Sequence, residues 1–227
     1  IEDLSKCLIK MGAKIKGHGT KTMLVQGVTN LKKAEHEIIS DRIVAGTYII
    51  AALMLNSALE INNFNTIYLK SLIDILKKMG AKLKVSKNSI KVSKGSKLKS
   101  TSLTTNPYPG FPTDLQAQLM SLMCISDGKS KIKETIFENR FMHVPELNRL
   151  GANITVEKDT ATIIGNQTFK GAQVMASDLR ASISLVLAAM NANGQTTLNR
   201  VYHLDRGYEN IEKTLGSLGV KIKREKN

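Results

Sequence analysis

Residues 72–85 read LIDILKKMGAKLKV, and this stretch carries the pattern that decides the fold. Its apolar residues recur at helical spacing as far as Met79, and Gly80 can adopt the left-handed conformation that closes a helix. The residues that follow alternate between apolar side chains and lysine, which is typical of a half-buried strand. We therefore predict a helix that ends at a glycine and is followed by a strand.

The same pattern of helix, glycine and strand occurs elsewhere in the chain. The copies occupy residues 4–17, 72–85, 144–156 and 211–224. Their closing glycines lie roughly 70 residues apart, at Gly12, Gly80, Gly151 and Gly219. This spacing indicates an internal repeat of one supersecondary unit.

A second type of helix is predicted between these copies. It begins with an Asp beside a Ser or Thr and continues as a nearly all-apolar run, in SDRIVAGTYIIAALM (40–54), PTDLQAQLMSLMCIS (112–126) and SDLRASISLVLAAMN (177–191). Because a helix that is apolar on most sides must be buried on most sides, these helices are predicted to lie inside the molecule. A turn and a short strand are predicted after each one, at 57–63, 128–136 and 194–202.

The repeated unit is thus a buried helix, a strand, a surface helix and one or two further strands. We predict an α+β fold of mixed α/β repeats, in which three units share one core, with the helices inside and mixed sheets outside. A boundary is expected near Ser40 or Asp41, after the polar stretch LKKAEHEIIS.

The composition predicts a soluble globular protein, since 227 residues with 42% hydrophobic content can bury an ordinary core. Cys7 and Cys124 lie in apolar helical patterns without CxxC or Cys/His spacing, so we expect two reduced packing residues, no metal site and a cytoplasmic location. Asn56 interrupts the longest apolar run, and no membrane partner is expected.

The net charge of +14 raises the alternative of a nucleic-acid-binding protein. The excess is mostly lysine spread over turns and exposed strand positions, and the aromatic residues that would stack on bases make up only 4% of the chain. We therefore predict no nucleic-acid partner, and a solvated basic surface that also suits a small anionic substrate.

One carboxylate, Asp114, stands between a Gly/Pro turn and an apolar helix in GFPTDLQAQLM, residues 110–120. Thr113 or Asp114 could cap that helix, since its first N–H groups need acceptors and its dipole favours a negative charge. A carboxylate held at the mouth of a helix could instead accept a proton from a substrate. The local pattern leaves both interpretations open.

Longer stretches carry a resemblance to a known family. They read NPYPGFPTDLQAQ (106–118), ETIFENRFMHVPELNRLGA (134–152), GAQVMASDLRASISLVLA (171–188) and YHLDRGYENIEKTLGSLG (202–219). With these motifs in this order, the whole chain resembles the C-terminal half of the UDP-N-acetylglucosamine enolpyruvyl transferases, or 1-carboxyvinyltransferases, of peptidoglycan synthesis. The resemblance implies two domains, each an inside-out α/β barrel of three repeats, with the substrates bound in the cleft between them.

The resemblance also implies an organisation into domains. Residues 1–40 correspond to the last part of the N-terminal domain, and 41–227 to a C-terminal domain that lacks its first strand. Because Ile1 opens directly into a helical pattern, the chain is expected to be cut from a longer one. The loop cysteine that acts on phosphoenolpyruvate belongs to the absent part, so neither Cys7 nor Cys124 takes its place. This piece alone is expected to be inactive and prone to aggregate at an exposed sheet edge.

The family transfers the enolpyruvyl group of phosphoenolpyruvate to the 3-hydroxyl of UDP-N-acetylglucosamine and releases phosphate, the first committed step of peptidoglycan synthesis, without a cofactor. The resemblance implies that Asp114 is the catalytic carboxylate at the sugar hydroxyl and that Ile136 contacts the UDP-sugar. It matches Arg180 and Arg206 to arginines that hold phosphoenolpyruvate, and Asp178 to an acid at the same cleft. A planar guanidinium can bind a carboxylate or a phosphate through two hydrogen bonds, which suits this assignment.

Several interpretations remain alternatives at this stage. Arg180 could pair with Asp178 within its own helix. Arg140 and its neighbours Glu138 and Asn139 could contact substrate, or could brace the helix that starts near His143.

Rival functions remain as well. The shikimate-pathway enolpyruvyl transferase uses the same chemistry on another alcohol, but its substrate motif differs from ENRFMHVPEL. A basic anion- or nucleic-acid-binding module and a catalytically silent regulatory fragment are the rivals from other classes.

Overall fold

The computed structural model describes residues 1–225, which divide into two compact units between Ser40 and Asp41. The first unit contains helix α1 (Glu2–Lys10) and the antiparallel strands β1 (Lys14–Lys16) and β2 (Leu24–Gln26). Within it, the ring of His36 lies 3.0 Å from the Asp3 carboxylate, so the end of this unit is tied back to α1.

Three buried helices form the centre of the second unit. They are α2 (Arg42–Met54), α4 (Gln116–Ile125) and α6 (Leu179–Met190). Helix α4 contacts both α2 and α6, and nine of its ten residues are buried. The predicted internal position of these nearly all-apolar helices is therefore confirmed.

The strands form sheets around these helices. Strands β3 (Leu59–Asn62), β4 (Leu83–Val85) and β5 (Ser89–Val92) make an antiparallel sheet in the order β3-β5-β4. The next sheet has the order β6-β7-β9-β8, with β6 (Ser102–Thr104) parallel to β7 (Lys129–Lys133) and antiparallel pairing among β7, β8 (Asn153–Glu157) and β9 (Thr160–Ile164). The third sheet pairs β10 (Gln173–Met175) with β11 (Thr197–Asn199) in parallel.

The outer helices are α3 (Lys70–Lys78), α5 (Val144–Arg149) and α7 (Ile211–Ser217). Each closes two residues before a glycine with a positive φ, at +97° for Gly80, +99° for Gly151 and +93° for Gly219. This is the left-handed closing conformation that the repeat predicted, because a side chain is strained at such a φ.

Three predicted strands differ from the structure. Strand β11 ends at Asn199, short of the predicted residue 202, because a 3-10 turn begins at Val201. Residues 220–225 contain no strand, although one was predicted after Gly219. Val220 and Ile222 instead pack against a small apolar cluster around Leu215, and the described chain places no third strand beside β10 and β11. Strand β7 ends at Lys133, short of the predicted residue 136, because Glu134 is buried and its carboxylate binds the following backbone.

None of the helices in residues 1–225 has the length and apolar content needed to cross a bilayer.

Candidate active site

Asp114 does not cap helix α4. It lies in a 3-10 turn, Thr113–Leu115, and α4 begins after this turn without a side-chain cap. Its Oδ1 atom accepts hydrogen bonds from Arg180 Nε at 3.0 Å and from Arg140 Nη2 at 3.2 Å. The capping interpretation of Asp114 is therefore wrong, and its side chain is 39% exposed beside two guanidinium groups.

The equivalent aspartates of the other repeats do cap their helices. Asp41 Oδ1 accepts from the backbone N–H groups of Ile43 and Val44 at 2.7 and 3.2 Å. Asp178 Oδ1 accepts from those of Arg180 and Ala181 at 2.7 and 3.0 Å. Burial acts to raise the pKa of the Asp178 carboxyl, but the N–H groups of Ala181 and Arg180 lower it below its ordinary value. Any contact of Asp178 with a ligand stays a prediction.

The guanidinium of Arg180 pairs with a residue outside its own helix. Its side chain donates through Nε to Asp114, so the alternative of an ion pair with Asp178 inside the helix is wrong. Its two terminal nitrogens donate to no group among residues 1–225. Arg180 therefore keeps the two parallel N–H groups with which a guanidinium binds a carboxylate or a phosphate.

Arg140 completes the group around Asp114. It lies on the loop between β7 and α5, and its guanidinium also stacks over the Phe137 ring at 5.2 Å. Its Nε atom is buried and without a hydrogen-bond partner in the described part of the chain. The sequence left Arg140 open between substrate contact and helix bracing. The structure places it on Asp114, a contact across 26 residues that no local pattern could indicate.

Ile136, the predicted contact to the UDP-sugar, lies at the start of the same loop and is 37% exposed. Its backbone N–H donates to Glu134 Oε1 at 2.9 Å. The buried Glu134 carboxylate also accepts from Thr113, the residue before Asp114, at 2.9 Å. The loop that carries Ile136 and Arg140 is thus tied to the turn that carries Asp114.

Arg206 lies at the end of a 3-10 turn, Val201–Arg206, and is exposed. Within residues 1–225 its side chain forms no ion pair and no hydrogen bond, so the structure does not join it to Asp114 or Arg180 directly. Its own segment packs on the start of α6, where a Cβ added to Gly207 would come within 2.9 Å of Leu179.

Tyr208, two residues beyond Arg206, is linked to the Asp114 turn by buried hydrogen bonds. Its hydroxyl lies 2.7 Å from Thr47 Oγ1, and Gln118 Nε2 donates to both Thr47 Oγ1 and the Asp114 carbonyl, at 3.3 and 2.9 Å. Burial raises the pKa of the Tyr208 phenol, while the charge of Arg180 acts to lower it. The segment of Arg206 and the turn of Asp114 are therefore held by one buried polar network.

His143 is buried at the start of α5. Burial lowers its pKa to about 4, opposed by the nearby Asp178 carboxylate, so the imidazole is neutral at pH 7. No group of three His, Cys, Asp or Glu side chains suited to a metal ion occurs in the described chain.

Comparisons with known proteins show which proteins the chain resembles in sequence and fold. The chain is 51% identical over 224 residues to a UDP-N-acetylglucosamine 1-carboxyvinyltransferase of Pelagibacter ubique, a match that covers 99% of this chain and 54% of that protein. A UDP-N-acetylglucosamine 1-carboxyvinyltransferase 2 of Mesorhizobium japonicum is equally similar, with the same coverage. The chain therefore spans about half the length of the curated relatives it matches.

Solved structures confirm the predicted fold class. The enolpyruvyl transferase NikO from Streptomyces tendae matches 97% of this chain and 53% of its own length, with a TM-score of 0.88 and 29% identity. An EPSP synthase from Acinetobacter baumannii matches 98% of this chain and 55% of its own, with a TM-score of 0.75; at 18% identity, it supports the fold alone. A model of the EPSP synthase (3-phosphoshikimate 1-carboxyvinyltransferase) family matches residues 1–215. This chain therefore belongs to the EPSP synthase family of carboxyvinyltransferases.

Proposed function

We propose that this chain forms one half of an enzyme that transfers the enolpyruvyl group of phosphoenolpyruvate to the 3-hydroxyl of UDP-N-acetylglucosamine and releases phosphate. The names of relatives that share 51% of its residues support UDP-N-acetylglucosamine as the acceptor and carboxyvinyl transfer as the reaction. The enzyme would be a cytoplasmic transferase of peptidoglycan synthesis, and would serve cell wall formation, cell shape and cell division. Because the chain spans about half of those relatives, the other wall of the substrate cleft is expected to come from the rest of the protein.

The observation that carries the proposal is the unequal use of the two oxygens of Asp114. Oδ1 is held by Arg180 and Arg140, whereas Oδ2 accepts no hydrogen bond from residues 1–225. The carboxylate is thus anchored through Oδ1, and Oδ2 is left to accept a hydrogen bond from a substrate. A sugar hydroxyl that donates to Oδ2 can pass its proton there as its oxygen attacks C2 of phosphoenolpyruvate.

The arginines supply the complementary charge. Phosphoenolpyruvate carries a phosphate and a carboxylate, and the two unengaged terminal nitrogens of Arg180 can hold either group beside Asp114. Arg206 is exposed and has no partner within residues 1–225, so its guanidinium can take the second anionic group. Such cations also stabilise the charge that develops on the phosphate as its bond to C2 breaks.

As the sugar oxygen adds to C2, an acid must protonate the methylene carbon, and a base must remove a proton from that carbon again as phosphate leaves and the double bond re-forms. The acid is expected outside this chain. Cys124 is buried, and burial raises the pKa of its thiol to about 12, so it serves as a packing residue and not as a reactive thiol. In this proposal the present chain therefore holds the alcohol-activating carboxylate and part of the anion site, and both parts of the protein are needed for turnover.

The test compares this chain with a hybrid enzyme, in which it is joined to the part of the Pelagibacter ubique relative that lies outside the match. With UDP-N-acetylglucosamine and phosphoenolpyruvate, we expect phosphate release by the hybrid enzyme and none by the 227-residue chain. Rapid release by the chain alone would contradict the need for a second half. A folded hybrid that releases no phosphate with this substrate pair would contradict the proposed reaction.

A second candidate is the shikimate-pathway reaction, because the matching family model describes 3-phosphoshikimate 1-carboxyvinyltransferase. The same hybrid enzyme distinguishes the two candidate reactions when the two alcohol substrates are tested alone and in competition. Under our proposal, UDP-N-acetylglucosamine supports phosphate release and shikimate 3-phosphate neither replaces it nor competes with it.

A further inference from the structure

We propose that Glu134 is a positioning residue, which sets the placement of Asp114 relative to the loop that carries Ile136 and Arg140. Its effect on catalysis rests on the function proposed above, whereas its effect on the geometry does not. Glu134 is a buried carboxylate, only 5% exposed, and no step of the proposed reaction uses it.

The carboxylate of Glu134 joins three separate segments. Oε1 accepts from the Thr105 hydroxyl at 2.8 Å and from the N–H groups of Ile136 and Phe137 at 2.9 and 3.3 Å. Oε2 accepts from the Thr113 hydroxyl at 2.9 Å. An ionised carboxylate can accept all four bonds, whereas the amide of a glutamine offers one acceptor oxygen.

Each bond acts on a part of the site. Thr113 immediately precedes Asp114 in the 3-10 turn, so the bond to Oε2 fixes that turn. The bonds to Ile136 and Phe137 fix the first residues of the loop that presents Arg140 to Asp114. Thr105 adds an anchor on a neighbouring segment of the chain, since its hydroxyl oxygen also accepts from the Thr135 backbone N–H at 2.9 Å.

The other repeats provide an internal control. The residue that follows the corresponding strand is Asn63 after β3 and Arg200 after β11, and both are exposed. In those repeats the equivalent aspartates, Asp41 and Asp178, are fixed by capping their own helices. The buried carboxylate therefore occurs in the repeat whose aspartate is not held by a helix end. Burying a charge is costly unless it is fully hydrogen-bonded, so a purely apolar packing role would not need Glu here.

The first experiment uses the full 227-residue chain and nuclear magnetic resonance. In Glu134→Gln, we expect the amides of Ile136 and Phe137 to exchange with solvent at least roughly 10-fold faster, because their acceptor is weakened. We also expect faster exchange of the Arg180 Nε–H, because its acceptor Asp114 becomes less well fixed. The matched control Glu157→Gln, on the exposed end of β8, should change neither.

Thr113→Val provides the second variant, since it removes only the bond between Glu134 and the Asp114 turn. We expect it to speed exchange of the Arg180 Nε–H and to leave the Ile136 and Phe137 amides protected. If Glu134→Gln does not fold, this variant decides the question. An unchanged Arg180 Nε–H in Thr113→Val, or in a folded Glu134→Gln, would overturn the inference, because Glu134 would then stabilise only its own loop.

The consequence for catalysis is measured in the hybrid enzyme. Displacing a catalytic group by about 1 Å can slow a reaction roughly 100-fold, so kcat should fall by roughly 10- to 100-fold in Glu134→Gln. The control Glu157→Gln should retain the wild-type kcat. An unchanged kcat in a folded Glu134→Gln would overturn the positioning role. A wild-type hybrid that is inactive would contradict the proposed function, and the exchange measurements would still test Glu134.

Discussion

The starts of helices α4 and α6 look alike in sequence and are built differently. Both carry a hydroxyl residue and an aspartate, Thr113-Asp114 and Ser177-Asp178, before a buried helix. At α6 the extended backbone of Asp178 lets its carboxylate fold over the first turn and cap it. At α4 a 3-10 turn comes first, and the Leu115 N–H donates to the Pro112 carbonyl at 3.1 Å.

This difference shows how one copy of a repeated motif can have its carboxylate free of helix capping. Where backbone carbonyls accept some of the free N–H groups at the start of a helix, the aspartate is not needed as their acceptor and can bind other groups. Asp114 then binds two arginines from other segments, while Asp41 and Asp178 cap their own helices. Under the proposed function, a repeat protein would thus keep one fold in every unit and place a reactive group in one of them.

The largest effect should separate Asp114 from its structural equivalent. Asp114→Asn in the hybrid enzyme is expected to lower kcat by roughly 10³-fold, because an amide cannot take the hydroxyl proton. Its melting temperature should stay near the wild-type value, because Asp114 caps no helix. The matched substitution Asp41→Asn should alter neither quantity, since Asn is as good a cap as Asp. Equal losses of activity in both variants would contradict the distinction.

His143, which lies near both Arg140 and Asp178, predicts a pH dependence of stability. Its folded pKa of about 4 lies below its ordinary value of 6.5, so between these values the unfolded chain binds a proton that the folded chain does not. The free energy of unfolding should therefore fall by about 3 kcal/mol as the pH drops through this interval, at about 1.4 kcal/mol per pH unit.

Urea unfolding at pH 7 and at pH 4.5 measures this contribution. His143→Phe should remove most of the loss of unfolding free energy between pH 7 and pH 4.5, because the variant has no imidazole to protonate. His203→Gln, at a partly exposed histidine, serves as the control and should keep the wild-type dependence. The same acid sensitivity in wild type and His143→Phe would show that His143 is not the group responsible.

The periodic features of the fold could be predicted from the sequence because they depend on near neighbours. Helical spacing, closing glycines such as Gly80 and the burial of α4 follow from residues within a few positions of one another. The hydrogen-bond partners of Asp114 could not be predicted in this way, because Arg140 and Arg180 lie 26 and 66 residues further along the chain. The absent strand after Gly219 has a similar reason, since a strand needs a partner and alternation alone does not supply one.

A smaller effect is expected when the charge of Arg180 is kept and its shape is changed. In Arg180→Lys, one ammonium group must serve both Asp114 and the bound anion, whereas the guanidinium serves Asp114 through Nε alone. We expect the KM for phosphoenolpyruvate in the hybrid enzyme to rise roughly 10-fold, which corresponds to the loss of about one charge-assisted hydrogen bond. Arg149→Lys, at an exposed arginine on α5, is the control and should keep the wild-type KM. An unchanged KM in Arg180→Lys would argue against anion binding by the terminal nitrogens.

The smallest effect concerns the caps themselves. Asp178→Ala and Asp41→Ala should each lower the free energy of unfolding by about 1 kcal/mol, the usual cost of losing an N-cap, while Asp114→Ala should cost less. Because the folded pKa of Asp178 lies below its unfolded value, its contribution is present above the unfolded pKa and is lost as the pH falls through the folded pKa. The difference in urea stability between wild type and Asp178→Ala should therefore shrink in acid. If Asp114→Ala proved as destabilising as Asp178→Ala at pH 7, the two helix starts would share one structural role, and the release of Asp114 for chemistry would be refuted.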